Sequence, residues 1–335
     1  MAKPAKYKKL FDGFAGLKVM IIGDVMVDSY LWGKVERISP EAPIPIVALK
    51  KRENRLGGAS NVALNIRAMG ATPILCSVIG KDEKGDRFMD LLRQEKIGTK
   101  YILRSQGRIT TTKFRIFGNN LQMLRVDEEV EHPLSEQDRK AFSKMICSLI
   151  ATGGVDCIVF QDYDKGVITP ELIGEVVALA SKHSVPVTVD PKRKNFMEYK
   201  GVTLFKPNLK ELKEGLKMDL DPSDQATVMN ASQILIEKLD CTYVLATLSE
   251  HGVMISSKDS LSDRNLMIPS HVRSVADVSG AGDTVISIAT LCLASKCTPY
   301  EVAFISNLAG GLVCEEVGVV PVNRDKLLKE VLALL

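Results

Sequence analysis

A chain of 335 residues, 45% hydrophobic and 25% charged, has the composition of an ordinary soluble globular protein and room for one large α/β domain or two smaller ones. Its 44 Lys and Arg against 41 Asp and Glu leave a net charge of +3, too small for a nucleic-acid-binding footprint. No apolar run is long enough for a membrane span, no signal-peptide core follows the basic start Met1-Ala-Lys-Pro-Ala-Lys-Tyr-Lys-Lys9, and seven scattered cysteines and four unclustered histidines show no metal spacing, so a cytoplasmic protein with reduced core thiols is expected.

The first apolar run, 18–22, reads as a buried strand ending in Gly23-Asp-Val-Met-Val-Asp28. No Gly-x-Gly-x-x-Gly follows it, which excludes the dinucleotide fingerprint at this turn. Asp24 and Asp28 emerge there instead, suited either to several hydroxyl donors, as on a sugar, or to capping a turn. Segment 33–49, with three prolines and many β-branched residues, reads as strands outside the main sheet. Arg55-Leu-Gly-Gly-Ala-Ser-Asn61 then leads into a helix over 59–69. Gly57 and Gly58 permit close backbone approach, and Ser60 or Asn61 can serve simply as helix caps.

A strand over 72–79 and a helix over 86–95 come next. Alternation over 108–126 around Gly118-Asn-Asn120 predicts a hairpin; with 33–50 it forms either plain surface strands or a small β-lid over a substrate. Helices over 136–150, 170–182 and 226–239 then alternate with strands over 157–160, 185–189 and 243–246. This rhythm predicts an α/β fold with a mostly parallel sheet covered on both faces, whose ligands sit beyond the carboxyl ends of the strands. Two motifs occupy such places. In Lys206-Pro-Asn-Leu-Lys-Glu211, Asn208 and Glu211 flank Leu209 and Lys210 at capping-box spacing, and the same acid suits Mg²⁺ held through water. In Ala246-Thr-Leu-Ser-Glu-His-Gly252, Thr247, Ser249 and Gly252 offer contacts for nucleotide phosphates.

Asp277-Val-Ser-Gly-Ala-Gly-Asp-Thr284 carries the most chemistry. A glycine turn opening the apolar helix over 285–294 leaves backbone N–H groups unpaired where the helix dipole favours an anion. A carboxylate at such a spot opposes phosphate binding unless it takes a proton from a hydroxyl that attacks the phosphoryl group held there. The segment therefore points to phosphoryl transfer to an alcohol.

The order of these motifs, from the acids after the first strand to Gly280-Ala-Gly-Asp283, resembles the PfkB, or ribokinase-like, carbohydrate kinase family over about 18–321. The resemblance implies one ribokinase-like three-layer domain over 1–335 with a small β-sheet lid at about 33–50 and 108–126. It implies Asp283 as base, with the N–H groups of Gly280, Ala281 and Gly282 holding the transferred charge. ATP and Mg²⁺ would be served by Asn208, Leu209, Lys210, Glu211, Thr247, Ser249, Gly252 and Asn307. Asp28, Gly57, Gly58 and Asn61 would grip the sugar. Asp277 stands where relatives place a monovalent-cation ligand, which makes K⁺ an optional activator, and the lid implies a homodimer.

Within the family, Arg37-Ile-Ser-Pro-Glu-Ala-Pro-Ile-Pro-Ile-Val47, Gly57-Gly-Ala-Ser-Asn-Val-Ala63, Asn120-Leu-Gln-Met-Leu-Arg-Val-Asp127 and Val189-Asp-Pro-Lys192 resemble the branch that phosphorylates D-glycero-β-D-manno-heptose 7-phosphate at its anomeric hydroxyl, a step of ADP-heptose synthesis for lipopolysaccharide. Val278 and Val285, where ribokinases commonly show Thr and Phe, agree with it. A nucleotidyltransferase His-x-Gly-His motif is absent, so a stand-alone kinase is expected. The substrate phosphate needs cations; Lys192 is the first choice among Lys113, Arg115, Arg125, Arg193 and Lys194. Two other readings stay open: a family kinase acting on ribose, fructose, a nucleoside or a hexose phosphate, and a non-catalytic sugar sensor, which would not need Asp283.

Overall fold

The computed structural model describes residues 3–258, 265–271 and 274–335. In chain order the elements are α1 (Lys3–Gly13), β1 (Lys18–Gly23), β2 (Val25–Ile38), β3 (Pro45–Gly58), α2 (Ala59–Ala68), β4 (Thr72–Gly80), α3 (Glu83–Gln94), β5 (Ile102–Ser105), β6 (Thr112–Gly118), β7 (Leu121–Glu128) and α4 (Glu136–Ala151). They continue with β8 (Cys157–Gln161), α5 (Pro170–Lys182), β9 (Val187–Asp190), β10 (Leu204–Phe205), α6 (Leu209–Leu216), α7 (Gln225–Leu239), β11 (Tyr243–Thr247), β12 (Val253–Ser257), β13 (Asn265–Ile268), α8 (Ala281–Ala294), α9 (Pro299–Val313) and α10 (Arg324–Leu334).

Among the described residues nine strands form the main sheet, in the order β13-β12-β11-β10-β9-β8-β1-β4-β5. Pairing is parallel from β5 through β11, and only β12 and β13 run against their neighbours. The period-2 strand geometry divides the core cleanly: Val19 and Ile21 of β1 pack into one apolar cluster, Met20 and Ile22 into the other. The first cluster takes in α1, α2, α3, α8, α9 and α10, and the second takes in α4 to α7, so the sheet is the middle of three layers. Strand order reverses between β1 and β8, which puts a crevice beyond the carboxyl ends of these two strands.

The smaller sheet has the order β3-β2-β6-β7. Its outer pairs are antiparallel as the sequence pattern suggests, but the central pair, β2 with β6, is parallel. It is also larger than the expected 33–50 and 108–126. Only Asp24 separates β1 from β2, and β3 runs to the helix start at Ala59. Asp28, Gly57 and Gly58 are therefore strand residues of the small sheet and not members of a turn. The hairpin at Asn119 and Asn120 has φ of 52° and 67°, the left-handed pair that a two-residue turn between twisted strands requires. Among the described residues no helix is long and apolar enough to cross a membrane.

Candidate active site

The carboxyl ends of the parallel strands deliver the site one residue group at a time. Gln161 closes β8, Asp190 closes β9, Lys206 follows β10 and Thr247 closes β11. Facing them is the start of α8, capped by Gly280 at φ 80°. A side chain at Gly280 would be strained by that φ and would also run into Asn61 Nδ2 and Val319, so the turn needs glycine on two counts.

Asp283 lies in the first turn of α8, 6% exposed. Its Oδ2 accepts from Asn61 Nδ2 at 2.7 Å; its Oδ1 accepts from Gln161 Nε2 at 3.0 Å and from the Tyr163 hydroxyl at 2.8 Å. Every donor is neutral. Burial raises its pKa to about 6, against the Asn61 hydrogen bond that lowers it, with Asp190 adding to the rise and Tyr163 and Lys206 opposing it. Asp190 is bridged to the buried Lys206 ammonium at 3.0 Å and accepts from Gln161 at 3.1 Å. Asn61 Oδ1 and Gln161 Oε1 are buried with no partner among the described residues, two acceptors beside the carboxylate that a ligand hydroxyl can use.

A cavity of about 1140 Å³ opens in front of this centre and brings together most of the residues expected from sequence. Gly280, Ala281, Gly282 and Asp283 form one wall; Lys192, Asn208, Leu209, Lys210, Thr247, Ser249, Gly252 and Asn307 line the cavity elsewhere, beside residues such as Gln161, Tyr163, Asp190 and Lys206. Asn208 and Glu211 make the capping box in full, with both hydrogen bonds at 2.9 Å. The other oxygen of Glu211 takes the Lys192 ammonium, which also lies 5.8 Å from the centre of the Tyr163 ring. Lys192 thus stands on the Asn208 wall. Gly252 takes φ 91° where the chain turns from β11 into β12, and Asn307 Nδ2 donates to the Pro269 carbonyl at 2.9 Å.

Asp28 lies on a second surface, contributed by the small sheet. Its carboxylate is bonded to Arg115 and packs so closely on Gly57 that a Cβ there would collide with it. Gly58, at φ 62° against the Asp24 carbonyl, carries the chain into α2 and so to Asn61. Asp277 accepts from the N–H groups of Ser279 at 2.9 Å and Gly318 at 3.0 Å, and those bonds, overcoming partial burial, hold its carboxyl below the usual range.

Asp24 does not reach the cleft. Its two oxygens accept the N–H groups of Tyr163, Lys165 and Val167 at 3.0, 3.1 and 3.1 Å, so it anchors the loop after β8. The adjoining Asp162 accepts from Tyr199 at 2.7 Å and Asn195 at 2.9 Å. Burial, and then the Asp162 charge, raise Asp24 to about 6. That loop, Gln161-Asp-Tyr-Asp-Lys-Gly166, is what sequence reasoning missed. It follows a strand end as directly as the other motifs do, and that position was the signal. Its two contacts to Asp283 make it part of the centre.

The glycine turn, the buried carboxylate and the cavity can bind an anion, receive a proton and hold a second polar ligand side by side. Among the described residues there is no group of three or more His, Cys, Asp or Glu that could hold a metal ion.

The profile of the pfkB family carbohydrate kinases matches residues 17–326. The Bifunctional protein HldE of Helicobacter acinonychis (strain Sheeba) is 38% identical over 301 residues, covering 90% of this chain and 63% of that protein. Its namesake from Desulfatibacillum aliphaticivorans is 36% identical over 314 residues, covering 94% of this chain and 63% of the relative. The chain thus spans a little under two thirds of the length of these curated relatives. Among solved structures, Escherichia coli phosphofructokinase-2 in complex with potassium gives a TM-score of 0.76 at 17% identity, covering 95% of this chain and 99% of that one. Arabidopsis thaliana ribokinase complexed with ribose and ATP gives 0.72 at 16% identity, covering 93% and 99%. Both likenesses concern the fold, which is ribokinase-like.

Proposed function

The chain belongs to the pfkB family of carbohydrate kinases, and from that premise we propose that it transfers the γ-phosphoryl group of ATP to the anomeric hydroxyl of D-glycero-β-D-manno-heptose 7-phosphate, giving the 1,7-bisphosphate. The observation that carries the reading is Asp283, a buried carboxylate whose pKa burial raises to about 6, set in the first turn of α8 beside the cavity. The heptose branch is supported by the motifs that resemble it and by curated relatives, at 34–38% identity, that bear the name Bifunctional protein HldE.

Asp283 takes the proton of the attacking hydroxyl, which replaces one of its present donors. A base of pKa about 6 is ionised at neutral pH yet still able to accept a proton. The N–H groups at the start of α8 hold the charge that develops on the transferred phosphoryl. Asn61 Oδ1, without a partner among the described residues, receives a sugar hydroxyl, and Asp28, Gly57 and Gly58 shape the rest of the sugar pocket. The triphosphate lies along Asn208, Leu209, Lys210, Thr247, Ser249 and Gly252, with Asn307 toward the nucleoside. Lys192, expected from sequence to hold the sugar phosphate, is assigned to the nucleotide side because its ammonium is bonded to Glu211.

Mg²⁺ fits this wall as a hydrated ion. Both Glu211 oxygens are engaged, by Lys192 and by the Asn208 N–H, so Glu211 and Asn208 would hold the ion only through its water shell. When bound, the ion neutralises phosphate charge. Asp277 keeps unshared lone pairs beside Ser279 and Gly318 and serves as the proposed K⁺ ligand. A homodimer through the small sheet is supported by its edge strand β7, where Leu121, Met123, Leu124 and Val126 are 43–70% exposed. Seven thiols without a disulfide suit the cytoplasm.

ADP release measured with heptose 7-phosphate beside ribose and fructose 6-phosphate tests the proposal. Preference for heptose 7-phosphate is expected. A preference for ribose or fructose 6-phosphate would move the chain to another branch of the family, and no turnover of any sugar would remove the catalytic reading.

A further inference from the structure

We infer that Arg55 and Arg115, both packed against the Tyr30 ring on the site-facing side of the small sheet, form the cradle for the phosphate that the sugar already carries. The inference rests on the proposed function and goes beyond it by naming the residues that select a phosphorylated sugar.

Strand register puts these side chains on one face. Asp28 is opposite Arg55 on β3, and Tyr30 is opposite Glu53 on β3 and Arg115 on β6. Residues paired across strands, or two apart along one, share a face, so Arg55, Asp28, Tyr30 and Arg115 point the same way. That face looks toward the start of α8. Arg55 Nη1 lies within 3.0 Å of where a Gly318 Cβ would stand, and Gly318 is bonded to Asp277, three residues before the Gly280 cap. The charge of Arg115 is felt at Asp277 as well.

The two guanidinium carbons lie 4.8 and 5.4 Å from the Tyr30 ring centroid. Arg55 donates Nε to Glu53 at 2.6 Å, an acid that Lys51 shares at 3.0 Å. Arg115 gives Nη1 to Asp28. Among the described residues, the remaining guanidinium N–H groups of both have no hydrogen-bond partner. Arg115 also stands directly opposite Arg125 across β6 and β7, a like-charge pairing that a sheet ordinarily avoids.

Two part-buried guanidinium groups with free N–H groups, stacked on one aromatic ring, make a fork-shaped receptor for a tetrahedral dianion. Asp28 beside them receives a hydroxyl next to the phosphate. A sugar phosphorylated at its far carbon then reaches from this cradle to Asp283 with its anomeric end.

The test is steady-state kinetics of the wild type, Arg55→Gln, Arg115→Lys and the Arg55→Gln/Arg115→Lys double variant, with heptose 7-phosphate and fructose 6-phosphate, each beside its unphosphorylated parent sugar. Loss of one charge-assisted contact should raise KM for the phosphosugar about 10-fold, and the double variant should lose about 100-fold of the preference over the parent sugar. Inorganic phosphate should compete with the phosphosugar in the wild type and no longer in the double variant. ATP affinity by calorimetry should be retained, which shows that each variant is folded. If heptose 7-phosphate is a good substrate and the preference survives in all variants, the cradle is overturned while the proposed function stands. If the wild type turns over only unphosphorylated sugars, both fall. Should the Arg115 variant not fold, the preference ratio of Arg55→Gln decides alone.

Discussion

Asp283 and Asp28 are carboxylates of one enzyme with opposite surroundings. Asp283 is met by an amide from Asn61, an amide from Gln161 and a phenol, and burial lifts its pKa to about 6. Asp28 is met by the guanidinium of Arg115 on the neighbouring strand. Neutral donors orient a carboxylate without pairing its charge directly, so it can still accept a proton. A guanidinium fixes the charge and leaves a group fit to receive hydroxyls. On the proposed function, the helix start serves proton transfer and the small sheet serves grip.

The largest effect should come from Asp283→Asn. Loss of the general base should lower kcat by about 10²–10⁴-fold while ATP binding, followed by calorimetry, is largely kept. Near-normal turnover would end the assignment. In the wild type, kcat should be flat near neutrality and fall about tenfold per pH unit below about 6, because the active form is the deprotonated one. An acid limb centred near 4 would place the base elsewhere.

Asp28→Asn should act differently. It removes the partner of Arg115 and an acceptor for the sugar, so KM for the sugar should rise about 10- to 100-fold, with kcat at saturation changed only a few-fold. The acid limb should stay where it is. If kcat fell as far as in Asp283→Asn, the division between the two carboxylates would be wrong.

How far the sequence foretold this depends on where periodicity survives. Of the parallel strands, β1, β4, β8, β9 and β11 were legible as apolar runs, and α5, expected at 170–182, spans Pro170–Lys182; the four residues of β5 carry no such run, and α1, α9 and α10 went unassigned. The start of β2 was not, since Val25 to Tyr30 are buried on both faces and show no alternation; only the exposed distal half did. Asp24 and Asp28 looked alike as acids after a first strand. A single residue between β1 and β2 separates their fates, and no local pattern encodes the three N–H groups that Asp24 meets from a loop about 140 positions away. The cavity wall at Asn208 and Gly280 was readable because a capping box and a glycine turn are local chemistry. Gln161 and Tyr163 were not, because their meaning lies in contact with Asp283, more than 100 positions later.

Tyr163→Phe should give the smallest effect and the sharpest view of the neutral cage. The phenol donates to Asp283 Oδ1, and burial together with the Asp283 charge pushes its own pKa well above the usual value, so it remains a donor across the working range. That hydrogen bond favours the charged form of Asp283 and holds its pKa down. Without it the pKa should rise above about 6, and the acid limb of kcat should move to higher pH. The loss should therefore be larger at pH 6.5 than at pH 8.5, where the base is ionised in both proteins and kcat should stay within about tenfold. A ring that merely packs would give the same fractional loss at every pH. A limb that does not move would mean that the phenol leaves Asp283 before the proton does, and that Asn61 and Gln161 alone set the base.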